Sequence, residues 1–229
     1  MSFRLEEGEI IPVNKPYRWT SFDVVNYVRN IARSQLHIPR LKIGHAGTLD
    51  PLATGLLILC TGKMTKNIDQ FQELEKEYTG TFKFGATTPS FDLEKEIDQT
   101  YPWQHIKQSD LEEVAKKFTG RYLQVPPAFS AIKIGGKRAY KYARNEEEVD
   151  LQPKEVNISV FELTRIELPE VDFRIVCSKG TYIRALARDY GRMLRSGAHL
   201  TALCRTRIGP LFLKDAWEPE DLKKELMPE

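Results

Sequence analysis

The sequence has little of what metal, redox or membrane proteins need. Its 229 residues include three cysteines and four histidines. Cys60, Cys177 and Cys204 do not have the spacing of metal ligands and lie among apolar neighbours. We therefore predict free, buried thiols, a reducing cytoplasmic location and no metal site. No apolar run is long enough for a signal peptide or a membrane span, and we find no cofactor fingerprint.

The net charge of the chain is small, but charges of opposite sign are segregated along the sequence. The formal net charge is +2, but residues 121–144 carry basic side chains and no acid. Residues 174–207 are also basic, whereas residues 215–229 are mostly acidic. This segregation indicates a face that binds a polyanion, although a solvated helix face has the same pattern. The basic residues of the first segment are Arg121, Lys133, Lys137, Arg138, Lys141 and Arg144.

The most informative stretch is residues 42–66. Its glycines at 44 and 47 bracket His45, and Pro51 keeps Asp50 out of helical geometry. Residues 56–60 form a short apolar run that is typical of a buried strand. The pattern predicts a rigid loop that presents Asp50 and His45 next to a core strand. An aspartate before a proline is also an ordinary turn former.

Hydrophobic periodicity predicts a mixed α/β chain. Capping boxes at Thr20–Asp23 and Ser109–Glu112 predict helix starts, and Thr181 is predicted to cap a third helix. Helices are expected over about 21–33, 63–75, 109–120 and 181–197. Strands are expected over about 9–13, 56–60, 77–84, 156–168, 171–178 and 200–208.

Residues 121–144 combine proline and glycine pairs with interleaved cations and aromatic rings. Such a mixture suits RNA, because phosphates interact with the cations and unstacked bases with the rings. The alternative is a basic surface hairpin that leads into a helix at Lys137.

The segment GHAGTLDPLATGLL closely resembles the signature of the TruB family of tRNA pseudouridine synthases. Four more segments resemble the family in its order, namely VNKP, KEYTGTFKFG, PPAFSAIKIGGKRAYKYAR and CSKGTYIRALARDYG. The chain departs from the family at Asn14 and at Thr88-Pro89-Ser90, where relatives have Asp and Thr-Asp-Thr, although Asp92 is near.

The resemblance implies a pseudouridine synthase fold, α/β (α+β), with a large, mixed, mainly antiparallel sheet flanked by helices. The catalytic domain would span residues 1–209, with a thumb-like RNA-binding insertion at about 121–144. Residues 210–229 would be a short acidic C-terminal tail, with no PUA domain.

The resemblance also assigns roles to individual residues. Asp50 would be the nucleophile or base, Arg184 would orient it, and Tyr78 would stack on the flipped uracil. His45 would fill the space that the flipped nucleotide leaves. The remaining expected RNA contacts are Lys15, Tyr182, Lys133, Lys137 and Arg138. The reaction needs neither cofactor nor metal.

The implied activity is isomerisation of uridine to pseudouridine at position 55, in the T loop of tRNA. The partner would be the T-arm stem-loop, and we expect a monomer. The alternative is an RNA-binding or tRNA-folding module whose catalysis is secondary or lost.

Overall fold

A computed structural model describes residues 3–130, 133–134, 137–138, 142 and 150–227. The described helices are α1 (Ser21–Ser34), α2 (Ile68–Glu73), α3 (Gln108–Phe118), α4 (Ile183–Met193) and α5 (Pro219–Leu226). The strands are β1 (Ile10–Lys15), β2 (Ile43–Ala46), β3 (Thr54–Thr61), β4 (Lys76–Phe84), β5 (Ala86–Thr87), β6 (Gln99–Thr100), β7 (Gly120–Gln124), β8 (Lys133–Ile134), β9 (Lys137–Arg138), β10 (Lys154–Glu167), β11 (Glu170–Cys177), β12 (Ala198–Ile208) and β13 (Leu211–Phe212).

The described strands form one nine-stranded sheet and two small two-stranded sheets. The order in the large sheet is β1-β3-β12-β4-β11-β10-β7, with β2 paired to β3 and β13 to β12. Strands β1 and β3, β2 and β3, β10 and β11, and β10 and β7 pair antiparallel, whereas β3 and β12 run parallel. The predicted α/β fold with a large, mainly antiparallel sheet is confirmed.

The chain divides into two compact units. The first unit consists of Met1–Tyr78 and Leu203–Glu229, and the second unit is Thr79–Ala202. The predicted bounds of the catalytic domain, residues 1–209, stay a prediction.

The core of the first unit lies between α1 and β3. Helix α1 begins at the predicted capping box, where the Asp23 amide donates to Thr20 Oγ1 and the Thr20 amide donates to Asp23 Oδ2. Its apolar residues Val24, Val25 and Val28 belong to the same buried cluster as Leu57 and Leu59. Successive residues of β3 are buried throughout Gly55–Thr61, as expected of a strand covered on both faces.

The segment predicted to be an acidic tail is folded. Residues 219–226 form α5, whose Leu222 and Leu226 are buried in the core cluster of α1. The Trp217 amide donates to Pro12 O, and Tyr27 donates from its hydroxyl to Glu220. The acidic residues therefore occupy the outer face of an amphipathic helix whose apolar face is part of the core.

The core of the second unit is aromatic. Phe82 stacks on Phe173 with ring centroids 4.2 Å apart, and Tyr190 packs against Phe82, Phe84 and Phe161. Tyr190 also donates from its hydroxyl to Leu111 O at 2.8 Å. These contacts join strands β4, β10 and β11 to helices α3 and α4.

Three local predictions in the second unit are wrong. Helix α3 begins at Gln108, and Asp110, rather than Glu112, accepts from the backbone amide of the cap residue. Helix α4 begins at Ile183, because the Thr181 hydroxyl donates to Ser178 O and does not cap the helix. The helix that the alternative reading of residues 121–144 placed at Lys137 is strand β9.

The predicted thumb, residues 121–144, is described in part. Residues 121–124 belong to β7 and pair with β10 in the large sheet, so the predicted N-terminal bound is too early. Strands β8 and β9 pair as Lys133↔Arg138 and Ile134↔Lys137, which agrees with the hairpin of the alternative reading. The rest of 131–149, except Tyr142, lies outside the described residues.

None of the three cysteines forms a disulfide; Cys60 and Cys177 are buried and Cys204 is half-buried. A search of the described helices found none with the length and apolar character that crossing a membrane requires.

Candidate active site

Asp50 lies in the loop of residues 47–53, which connects β2 to β3 in the first unit and which we call the Asp50 loop. The two strands form an antiparallel pair, with His45 opposite Leu59 and Ala46 opposite Ile58. Because β3 is a central, buried strand, the ends of the loop are anchored in the core. Asp50 itself is half-buried.

The backbone around Asp50 is held by hydrogen bonds on both sides. Leu49 donates from its amide to Ser21 Oγ at 2.8 Å, and Ser21 donates to Leu49 O at 3.3 Å. The Ala53 amide donates to Asp50 O at 3.1 Å, and the Arg18 amide donates to Pro51 O at 2.8 Å. The loop is therefore fixed by side chains and backbone distant in sequence, which is the preorganisation that a reacting carboxylate requires.

Lys15 is an interior residue with no exposed surface. Its ammonium donates to the carbonyls of Pro16, Trp19 and Pro51, at 2.9, 2.5 and 3.3 Å. Burial lowers the pKa of Lys15 to about 8, and the nearby Asp50 carboxylate opposes that effect. Because an enclosed ammonium is not placed to meet a phosphate, the structure favours a positioning role over the predicted RNA contact.

A second buried cation, Arg205, also donates hydrogen bonds to this part of the backbone. Only 1% of this residue is exposed. Its Nε donates to Leu56 O at 2.8 Å and its Nη2 donates to Gly47 O at 3.0 Å. The sequence interpretation did not single out Arg205. The available signal was a cation inside an otherwise strand-like segment, residues 200–208.

His45 is half-buried on β2, immediately before the Asp50 loop. Burial, and next the Arg205 cation, lower the pKa of His45, so its imidazole is neutral near pH 7. Its Nδ1 is buried without a hydrogen-bond partner in the described structure. An unpaired buried polar atom is uncommon and favours a site that is completed by another molecule.

Tyr78, the predicted stacking residue, lies half-buried on β4. It ends the segment Met1–Tyr78 of the first unit. The neighbouring Glu77 accepts from Thr206 Oγ1 at 2.8 Å, which links β4 to β12 beside it. A half-buried ring on a core strand suits a stacking surface, but its role in stacking on uracil stays a prediction.

Arg184 belongs to the second unit, where it is the second residue of α4. Its Nε lies 3.6 Å from Asp92 Oδ2, and both side chains are almost completely buried. Its guanidinium also donates to Ser90 O at 3.0 Å and to Phe129 O at 2.9 Å. Arg184 is therefore held rigidly by residues around position 90, and its predicted role of orienting Asp50 stays a prediction.

Tyr182, at the start of α4, is held through its backbone. The buried Gln124 accepts from the Tyr182 amide at 2.8 Å and donates to Tyr182 O at 3.1 Å. This amide pairing joins the end of β7 to the residue that precedes Ile183 and Arg184. Gln124 and Asp92 were not predicted as site residues, because each acts across a sequence separation that local patterns do not reveal.

Lys133, Lys137 and Arg138 lie in the β8–β9 hairpin. Their backbones are paired, so the three cations share one short ribbon. Their predicted RNA contacts stay predictions.

Within the first unit, the structure brings together a half-buried carboxylate, two buried cations and a neutral imidazole. A carboxylate held in this way can act as a nucleophile or a general base, and a neutral imidazole can donate or accept one hydrogen bond.

Comparison with known proteins gives consistent results. A family model described as TruB family pseudouridylate synthase, N-terminal domain, matches residues 33–183. The chain is 56% identical to tRNA pseudouridine synthase B of Phocaeicola vulgatus over 96% of this chain and 93% of the relative. It is 43% identical to the protein of the same name from Chloroherpeton thalassium, over 96% and 91%.

Solved structures with a similar fold include a chain of a Cbf5-Nop10-Gar1 complex, with a TM-score of 0.72 and 28% identity. A second is a chain of an H/ACA RNP bound to a substrate RNA containing 2'-deoxyuridine, with a TM-score of 0.68 and 26% identity. Each match covers 96% of this chain, and 54% and 53% of the solved chains. The chain thus spans about half the length of these two structures.

Proposed function

The chain belongs to the TruB family of pseudouridylate synthases, and we propose that Asp50 is its reacting carboxylate and that its target is the uridine at position 55, in the T loop of tRNA. The class of reaction, isomerisation of uridine to pseudouridine in tRNA, follows from the family and from relatives more than 50% identical over almost the whole chain.

The observation that carries this proposal is the fixed loop around Asp50. The reaction breaks the bond between N1 of the base and C1′ of the ribose, rotates the base and joins C5 to C1′. The proton on C5 leaves to solvent and N1 takes up a proton from solvent, so the product is an isomer of the substrate. A carboxylate that attacks or deprotonates within this sequence must be ionised and precisely placed. Ser21, Arg18 and the internal Ala53 bond support that placement.

The neighbouring groups fit the same reaction. Lys15 and Arg205 are buried side chains beside the Asp50 loop, and each donates a hydrogen bond to a loop carbonyl, Pro51 O and Gly47 O respectively. His45 has a buried Nδ1 without a protein partner. A nucleotide whose base has left the stack can supply that partner, and base flipping is required because a stacked uracil is not accessible to the enzyme. Tyr78 then supplies the ring on which the flipped uracil stacks.

Local clusters of cations in the chain support an RNA partner, for which we propose the T arm of tRNA. Loop recognition uses cations for phosphates and rings for unstacked bases. The hairpin of β8 and β9 carries Lys133, Lys137 and Arg138, and we assign to it contacts with the RNA backbone. Arg184, oriented by Asp92 in the second unit, is assigned to the Asp50 carboxylate.

The test uses an unmodified tRNA transcript and a second transcript with cytidine at position 55. Pseudouridine is mapped by carbodiimide adducts and primer extension after incubation with wild-type protein or with Asp50→Asn. We expect a single adduct at position 55 with wild-type protein, and none with the variant or on the second transcript. Adducts at other positions would contradict the assigned target, and adducts formed by Asp50→Asn would contradict the role of Asp50.

A further inference from the structure

The Arg205 side chain connects both ends of the Asp50 loop. One of its hydrogen bonds goes to Gly47 O, the first carbonyl of the loop, and the other to Leu56 O, in the strand that receives the loop. Both acceptors are backbone atoms, so the guanidinium constrains the path of the chain rather than one side chain. A planar guanidinium with several fixed donors is well suited to bridging two carbonyls.

The glycine that begins the loop and the glycine just after it also lie against Arg205. Gly47 and Gly55 have φ values of +94° and +103°, a region that other residues rarely adopt. A Cβ at Gly55 would be 2.7 Å from the Arg205 amide nitrogen, so β3 and β12 approach too closely there for any side chain. A Cβ at Gly47 would be 3.4 Å from Arg205 Nη1. Both turning points of the loop are therefore in contact with this residue.

The strand pairing explains this closeness. Strands β3 and β12 run parallel with Cys204 opposite Thr54 and Arg205 opposite Gly55. The Arg205 backbone is thus fixed at the exit of the loop, while its side chain reaches back to the entrance. Burying a guanidinium costs several kcal/mol unless its hydrogen bonds are satisfied. Here carbonyls of the loop and of β3 accept from two of its nitrogens, so the guanidinium is held in place by the backbone that it bridges.

We propose that Arg205 is a positioning residue for the reaction: it bridges Gly47 and Leu56 so that Asp50 is presented in its reactive position. This proposal rests on the proposed role of Asp50. Arg205 itself is not assigned a contact with RNA. Its charge also acts on the predicted site residues, because it contributes to the lowered pKa of both His45 and Lys15.

The test compares Arg205→Gln and Arg205→Lys with matched changes at Arg33. Arg33 is an exposed arginine in the last turn of α1, in the same unit, so it controls for the loss of an arginine away from the Asp50 loop. Three quantities are measured for each protein: the single-turnover rate of tritium release from a C5-labelled T-arm stem-loop, the Kd for that RNA, and Tm.

We expect Arg205→Gln to lower the single-turnover rate about 100-fold, the effect of a displacement of about 1 Å in a reacting group. The RNA Kd should change by less than about threefold, since the affected bonds are internal to the protein. Arg205→Lys keeps the charge but has a single donor nitrogen in place of the planar guanidinium, so it should lose about tenfold in rate. The Arg33 variants should retain the wild-type rate.

Two results would overturn the positioning role. The first is a wild-type rate per folded molecule for both Arg205 variants, whatever their Tm. The second is a loss of rate that saturating RNA restores fully, which would indicate an effect on binding. If Arg205→Gln does not fold, the Arg205→Lys rate decides between these outcomes. Asp50→Asn is measured in parallel. Activity in that variant would refute the proposed function. If Asp50→Asn is inactive but the Arg205 variants have the wild-type rate, only the role of Arg205 is refuted.

Discussion

Lys15 gives the most quantitative prediction, because its burial makes the stability of the protein depend on pH. The ordinary pKa of a lysine is 10.5, and burial lowers the pKa of Lys15 to about 8 in the folded protein. Between these two values the unfolded chain holds the proton that the folded protein has released. Unfolding then takes up a proton, so raising the pH makes unfolding less favourable.

The magnitude follows from the two pKa values. One pKa unit corresponds to about 1.4 kcal/mol, so a folded-state pKa of about 8 against 10.5 amounts to about 3 kcal/mol. The free energy of unfolding of wild-type protein minus that of Lys15→Met should therefore rise by about 3 kcal/mol from pH 8 to 10.5. Taking the difference removes the contributions of all other titrating groups.

The assay is urea unfolding at intervals of half a pH unit, with Lys66→Met as the matched control. Lys66 is an exposed lysine of the same unit, and its difference from wild type should not rise in this way. Asp50→Asn provides an internal check, because the Asp50 carboxylate raises the pKa of Lys15 and its removal should start the rise at a lower pH. A wild-type minus Lys15→Met difference that is flat or falls over this range would refute the reasoning.

Two further predictions concern the support of the loop and the end of the chain. Ser21→Ala leaves the amide and carbonyl of Leu49 buried and unpaired and should cost about 1–3 kcal/mol in urea unfolding, with a slower single turnover. Ser34→Ala, on the same helix but exposed, should change the free energy of unfolding by less than about 0.5 kcal/mol; equal costs for the two would contradict the argument. Leu226→Ala should cost about 2–5 kcal/mol because α5 is part of the core. Leu123→Ala at an exposed position serves as its control, and a Leu226 variant as stable as wild type would mean that the end of the chain is a tail after all.

The parts of the fold that were predictable from sequence depend on local signals. The capping box of Thr20 and Asp23 lies next to a run of valines with helical spacing, and both act within one turn of α1. The apolar run that became β3 was equally clear. The box proposed at Ser109 failed because Asp110 offered an equivalent carboxylate two residues before Glu112, and residue types alone do not choose between two such starts.

The C-terminal segment illustrates a second limit. Residues 215–229 are acidic, so composition favoured a solvated tail. The two leucines at 222 and 226 are spaced one helical turn apart, yet two residues give a weak signal without knowledge of the surface they cover. That surface is made by α1 and β1, near the other end of the sequence.

The candidate site shows the same contrast. Asp50 and His45 could be found because the glycines and the proline that shape their loop are adjacent in sequence. Ser21 and Arg205 contact the loop from sequence distances of 28 and more than 140 residues. Gln124 and Asp92 likewise contact the start of α4 from distant parts of the sequence. Ser21, Arg205 and Gln124 act through hydrogen bonds to backbone atoms, and Asp92 acts through an ion pair with the Arg184 side chain. Neither kind of contact leaves a pattern in the local sequence.

The central claim is that Asp50 reacts with the uridine, and one measurement tests it most directly. A T-arm stem-loop tritiated at C5 of its uridines is incubated with wild-type protein, with Asp50→Asn, and with Asp69→Asn, a matched change at an exposed aspartate of the same unit. Tritium released to water and RNA bound are measured together. The account predicts release by wild type and Asp69→Asn, and none by Asp50→Asn at unchanged binding. Release by Asp50→Asn, or tight binding without release by any of the three proteins on this RNA and on whole tRNA, would contradict it.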